Sequence, residues 1–113
     1  MFKAEMKFPE DFPNSPPEMK FVTSMWHPNI YPDGKVCISI LHAPGVDRFN
    51  LSETADERWR PILGVEQVIM SVISMLNDPN PDSPANIDAA KQFREDPRAY
   101  RRKVRDYVAR SVE

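Results

Sequence analysis

Prolines divide this chain. Twelve prolines stand against three glycines, and nine of the twelve gather at Pro9 to Pro17, Pro28 to Pro32 and Pro79 to Pro84, between segments with clear hydropathy patterns. Proline fixes φ and lacks an N–H, so these stretches neither run through a helix nor donate to a central strand ladder. They read as stiffened loops, which lose less entropy on ordering than glycine-rich ones. Strands and helices are therefore confined to the intervals between them.

The intervals carry two periods. Phe2, Ala4, Met6 and Phe8 alternate with Lys3, Glu5 and Lys7, the period of two of a half-buried strand. Met19 to Thr23 predicts a second strand, its antiparallel neighbour. Pro32-Asp33-Gly34 is a turn in which glycine supplies positive φ, and Val36, Ile38 and Ile40 read as a core strand after it. In the second half, Val65, Val68, Ile69, Val72, Ile73 and Leu76 predict a helix lying across the sheet. A shorter helix spans about Asn86 to Glu95, with Ile87, Ala90 and Phe93 inward. Asp96-Pro97 supplies an N-cap and a first-turn proline, starting a last helix that turns Tyr100, Val104, Tyr107, Val108 and Val112 inward. The pattern is α+β: an antiparallel sheet packed on helices. His42 to Arg58 has no sustained period, and long patternless loops inside a domain are often functional.

Size and charge narrow the function. A chain of 113 residues is one domain, and 41% apolar with 28% charged residues is ordinary for a soluble one. A net charge of −2 gives no global attraction to nucleic acid or an anionic membrane. The basic last helix (Arg98, Arg101, Arg102, Lys103, Arg105, Arg110) is interrupted by Asp106 and backed by tyrosines, which fits a solvated outer face. One cysteine makes no internal disulfide and suits a reducing compartment, cytosolic or nuclear.

That cysteine, Cys37, is either a small buried hydrophobe or a nucleophile. Its flanking Val36 and Ile38 favour the first, and Lys35 and His27 are the local sources of positive charge. His27-Pro28-Asn29 shifts the balance. An amide near a thiol can donate to the oxyanion formed when a thioester carbonyl is attacked, and Pro28 holds that amide cheaply. Asn29 also reads as a turn residue bonding its own backbone. His27 reads as a base for the thiol or, better, as a buried brace.

In order, His27-Pro28-Asn29-Ile30-Tyr31, Gly34-Lys35-Val36-Cys37-Ile38-Ser39-Ile40-Leu41, Trp59-Arg60-Pro61 and Leu76-Asn77-Asp78-Pro79-Asn80-Pro81 resemble a ubiquitin-conjugating enzyme. Phe8-Pro9-Glu10-Asp11-Phe12-Pro13 and Pro16-Pro17 match as well, so the resemblance covers nearly the whole chain. It implies that Cys37 receives ubiquitin from an activating enzyme as a thioester and passes it to a substrate lysine with a ubiquitin ligase bound. Asn29 matches the asparagine that stabilises the oxyanion or orders the nearby loop; His27 and Pro28 match the structural part of the motif. Asp82 and Ser83 fall where the family carries a gate residue that orients the lysine. The chain itself takes no cofactor: ATP is used by the activating enzyme, and no phosphate-cradling loop is visible.

The segment 42–58 looks like the acidic-loop insert of conjugating enzymes that build degradation-type chains, including those of endoplasmic-reticulum-associated degradation. His42 opens it, and Asp47, Glu53, Asp56 and Glu57 outnumber Arg48 and Arg58. Its rival reading is a solvated insert. The location implied is the cytosol or nucleus, including the cytosolic face of the endoplasmic reticulum. Ligase docking in the family uses the loops matching Asn14-Ser15 and Arg60-Pro61-Ile62.

The match begins at the family's third strand. The family's first helix and first two strands precede the segment matching Phe2 to Phe8, so residues 1–113 read as an amino-terminally truncated catalytic domain. The opening strand is then expected to have a free edge, explained either by a truncated sequence or by self-association through that edge. Two rival functions remain: a non-catalytic ligase-binding module that keeps the docking loops, and a cysteine hydrolase, for which no base–orienter pair is visible.

Overall fold

The computed structural model describes residues 2–45, 57–81 and 84–111. Strand β1 (Ala4–Lys7) and strand β2 (Glu18–Phe21) pair antiparallel in the register Ala4↔Phe21, Glu5↔Lys20, Met6↔Met19 and Lys7↔Glu18. Both strands are shorter than the alternation predicts. Pro9 ends β1, and past Phe21 the chain bends while Val22 and Thr23 donate to the Lys3 carbonyl.

Gly34 shapes the segment after β2. Its φ is 101°, and a Cβ there would collide with the Phe21 carbonyl. That closeness lets Phe21 N–H donate to Gly34 O at 2.8 Å and Val36 N–H to Met19 O at 2.9 Å. The segment 35–36 thus lies against β2 through the single bridge Lys20↔Lys35, and Val36 forms a second bridge with Ile30. The core strand expected through Val36, Ile38 and Ile40 does not form. After Val36 the chain leaves the sheet and winds into a 3-10 turn, Ser39–Leu41.

Helix α1 (Val65–Asn77) packs on this layer with Val68, Val72 and Met75, which join Phe21, Ile30, Val36 and Trp59 in one core. The inward face is displaced from the predicted one: Ile69 and Ile73 are 44% and 54% exposed. Helix α2 (Ile87–Glu95) starts at Asn86, whose side chain accepts from Ala89 N–H. It buries Ala89 and Ala90 and leaves Ile87, expected inward, 72% exposed. Helix α3 (Pro97–Arg110) starts as predicted, with Asp96 accepting from Ala99 N–H and Pro97 in the first turn. Each such cap contributes about 1 kcal/mol. Tyr100 packs edge-on against Phe93, with ring centres 5.1 Å apart, joining α3 to α2. Val108, predicted inward, is exposed, and Val112 lies outside the described residues.

Lys103 and Arg110 sit over the rings of Trp26 and Tyr107, whereas Arg98, Arg101, Arg102 and Arg105 face solvent. Among the described residues no helix is long and apolar enough to cross a membrane. The architecture of the described residues is α+β, as expected: a small antiparallel sheet with three helices.

Candidate active site

His27, Pro28 and Asn29 are all buried, and each pins a different piece of the chain. The His27 ring accepts from Asn29 N–H at Nδ1, at 2.9 Å. Nε2 therefore carries the proton and donates to Met75 O at the end of α1, also at 2.9 Å. Burial lowers the imidazole's pKa from its ordinary value, and the bond to Met75 opposes this. The ring is a neutral brace with both nitrogens used, not a base for Cys37 and not a charge beside it. The Pro28 carbonyl accepts from Ala85 and Asn86 N–H at 2.8 and 3.0 Å. The Asn29 amide donates from Nδ2 to Asn80 O and accepts Asn80 N–H at Oδ1, each at 2.8 Å. Only 3% of Asn29 is exposed, and its side chain orders the Asn80 loop.

Segment 80–86 is therefore held at both ends. Asp82 and Ser83, the expected gate residues, lie between those ends and outside the described residues.

Cys37 stands across from this brace. Its N–H donates to the Asn29 carbonyl at 2.9 Å, so the motif that orders the loop also fixes the cysteine backbone. The free thiol is half-buried at a cleft of about 340 Å³ lined by Glu18, Tyr31, Lys35 and His42, among others. Lys35 thus reaches the site as the sequence suggests.

Two neighbours of the sulfur are new. His42, expected only as the opening of the acidic loop, places Nε2 3.7 Å from Cys37 Sγ. The Tyr31 hydroxyl hydrogen-bonds the sulfur. Charge on Cys37 is the first cause of a raised Tyr31 pKa, followed by burial, that hydrogen bond and Asp33. No sequence signal points to His42 here, because its approach depends on the 3-10 turn Ser39–Leu41 that stands where a strand is expected.

The residues flanking the insert meet. Trp59 N–H donates to His42 O at 3.1 Å. Glu57 is exposed, while Asp47, Glu53 and Asp56 lie outside the described residues. Trp59 is fully buried and joins the two expected docking loops: its ring is 5.8 Å from that of Phe12, and its Nε1 donates to Pro13 O at 2.8 Å. Beyond it Asn14, Arg60 and Pro61 are exposed, Ser15 is half-buried against Asp11, and Ile62 is 83% exposed. Among the described residues no cluster of histidine, cysteine and carboxylates could hold a metal ion.

Comparison with known proteins fits this frame. The family model described as "Ubiquitin-conjugating enzyme" matches residues 1–108. The chain is similar to ubiquitin-conjugating enzyme E2 15 of Schizosaccharomyces pombe, 55% identical over 112 residues, which are 99% of this chain and 66% of that protein. It is 54% identical to ubiquitin-conjugating enzyme E2 14 of Arabidopsis thaliana over the same shares. Against ubiquitin-conjugating enzyme E2 G2 of Homo sapiens the identity is 49%, covering 99% of this chain and 67% of that protein. The chain thus spans about 66% of the length of these curated relatives. With the family model matching residues 1–108 and these relatives 49% to 55% identical over 112 residues, the chain belongs to the ubiquitin-conjugating enzyme family.

Proposed function

We propose that this chain is a transferase that carries ubiquitin on Cys37, receiving it as a thioester from an activating enzyme and passing it to lysine amines with a ubiquitin ligase. The observation that carries the reading is the placement of the thiol. Cys37 is half-buried on a cleft, its backbone fixed by Asn29, in a frame whose histidine, proline and asparagine are all engaged as braces. Attack of the Cys37 sulfur on the incoming thioester forms one S–C bond and releases the activating enzyme's thiolate. The acceptor lysine then forms a C–N bond and frees the Cys37 sulfur. Positioning supplies most of the rate in such a transfer, because the sulfur ester is already activated.

Asn29 serves that transfer by holding the Asn80 loop, and through the loop the segment of Asp82 and Ser83, which meets the incoming amine. The insert that begins at His42 starts against Cys37, which supports a role for its acidic residues in guiding an acceptor ubiquitin toward degradation-type chains. Asn14, Ser15, Arg60, Pro61 and Ile62, gathered around Trp59, form the ligase-docking face, with Ile62 as its apolar anchor. A free thiol of this kind belongs in a reducing compartment, the cytosol or nucleus, including the cytosolic face of the endoplasmic reticulum. ATP is consumed by the activating enzyme.

Self-association through β1 is part of the proposal. Lys3 O accepts from Val22 N–H on the β2 side, so by the period of two Ala4 and Met6 turn their backbone groups to the other edge. Among the described residues nothing pairs with that edge, and Phe2 and Phe8 flank it exposed.

The test is to incubate the chain with activating enzyme, ubiquitin and ATP. A thiol-sensitive adduct that disappears in Cys37→Ser supports carriage. Ligase binding with no adduct makes the chain a non-catalytic docking module instead.

A further inference from the structure

The motif provides no base for Cys37, since His27, its histidine, is spent as a brace on Met75 and Asn29. The chain holds two histidines, and the other one touches the thiol. His42 Nε2 is 3.7 Å from Sγ, within hydrogen-bond range for sulfur. Its placement is built rather than accidental. The 3-10 turn carries the chain back toward the cysteine, His42 N–H donates to Ser39 O at 2.9 Å, and His42 O accepts from the buried Trp59 at 3.1 Å. Both sides of the His42 backbone are therefore anchored, and one anchor is the core. The Tyr31 hydroxyl supplies the sulfur with a second hydrogen bond, and its own ionisation is pushed up beside Cys37. Of the charged groups lining the cleft, Lys35 favours an anionic sulfur and Glu18 opposes it. Asp33 acts on Tyr31.

We propose that His42 is a catalytic residue of this site: its imidazole takes the Cys37 proton and holds the sulfur as a thiolate, with the Tyr31 hydroxyl as the second donor. The Nε2 lone pair accepts the proton, and the S–H bonding pair stays on sulfur. That pair then forms the S–C bond to the thioester carbonyl while the departing thiolate takes its own electrons away. The proton on His42 is afterwards passed to that thiolate or to water. A free thiol with a pKa of about 8.5 is only a few per cent ionised at neutrality, so lowering its titration by one unit raises the thiolate population about eightfold at pH 7. Once the sulfur is acylated it carries no charge, and His42 loses the anion that held its proton.

The inference rests on the carrier reading only for its use in transfer, and its test needs no ubiquitin. Because the chain has a single cysteine, iodoacetamide reports on Cys37 alone. The rate of alkylation is measured from pH 5.5 to 9.5 for the native chain, His42→Gln, His42→Lys and Tyr31→Phe. The native profile inflects below about 8.5. His42→Gln moves it back toward that value and slows alkylation at pH 7 about eightfold; His42→Lys, which keeps a cation, recovers part of the loss; Tyr31→Phe shifts it less. Separately, the His42 ring is titrated by nuclear magnetic resonance in the native chain before and after carboxamidomethylation. Capping the sulfur lowers the His42 titration if the two share a proton, a response a merely structural histidine would not give. Identical alkylation profiles for native chain and His42→Gln, or a His42 titration indifferent to capping, overturn the proposal. The capping experiment decides alone if His42→Gln does not fold. Should both tests succeed while no ubiquitin adduct forms, His42 keeps this role and the carrier reading falls.

Discussion

Asn29 and Asn80 exchange two hydrogen bonds: the side-chain amide of one donates to and accepts from the backbone of the other, each at 2.8 Å. A primary amide matches both ends of a peptide unit, and no other side chain of this size except its glutamine homologue offers that pair. Aspartate replaces the donor by an oxygen facing the Asn80 carbonyl. Alanine removes both of these bonds to the Asn80 backbone.

Asn29→Ala is therefore expected to cost about 2–3 kcal/mol, two hydrogen bonds with part of their desolvation. Asn29→Asp costs at least as much at neutral pH. Urea unfolding of both variants checks this. A loss below about 0.5 kcal/mol would mean that the amide is only a turn residue.

His27 makes stability depend on pH in a defined direction. Unfolded, the ring titrates near 6.5; buried, it is held lower. Between those values the unfolded chain binds more protons, so its contribution is whole above about pH 6.5 and declines as the pH falls through the window. Unfolding free energies at pH 7.5, 6.5 and 5.5 are expected to fall with acid more steeply in the native chain than in His27→Gln, which starts less stable. Parallel slopes would contradict the brace.

Gly34→Ala meets two penalties at once, a φ of 101° and a Cβ driven into the Phe21 carbonyl. Backbone cannot move aside as a flexible side chain can, so a loss of about 2 kcal/mol or more is expected. Because Gly34 sets the turn before Cys37, the variant should also slow alkylation of the thiol. A thermal midpoint within one or two degrees of native would show that the turn has room.

The proposed self-association through the β1 edge depends on one backbone N–H. Ala4→Pro removes a donor that faces away from β2, leaving the β1–β2 ladder intact. Sedimentation is expected to show concentration-dependent dimers of the native chain and monomers of Ala4→Pro with unchanged circular dichroism. A native chain that stays monomeric contradicts the edge pairing.

Much of this fold is legible in the sequence, for reasons visible at individual residues. Asp96-Pro97 and Asn86 act through local capping chemistry, and the structure has both helices start there. The turn at Gly34 is equally local. Faces are harder: Ile69, Ile73 and Ile87 obey helical spacing but are exposed among the described residues, because periodicity reports an apolar stripe and not what packs on it. The stretch after Val36 reads as a strand by composition; the bridges to β2 and Ile30 end at Val36, and the chain coils instead. The same coil brings His42 to the thiol, a contact that spacing alone could not show. The His27 and Asn29 braces reach Met75 and Asn80, partners far along the chain, and only the fold reveals them.

Intact-mass measurement gives the sharpest test of ubiquitin carriage on Cys37. The folded native chain is incubated with activating enzyme, ubiquitin and ATP, then weighed before and after a reducing thiol. A carrier gains the mass of one ubiquitin less one water, located on Cys37, reversed by the thiol and absent as a thioester from Cys37→Ser. A folded native chain that gains no mass, or gains it elsewhere and keeps it in the presence of the thiol, is not a carrier through Cys37.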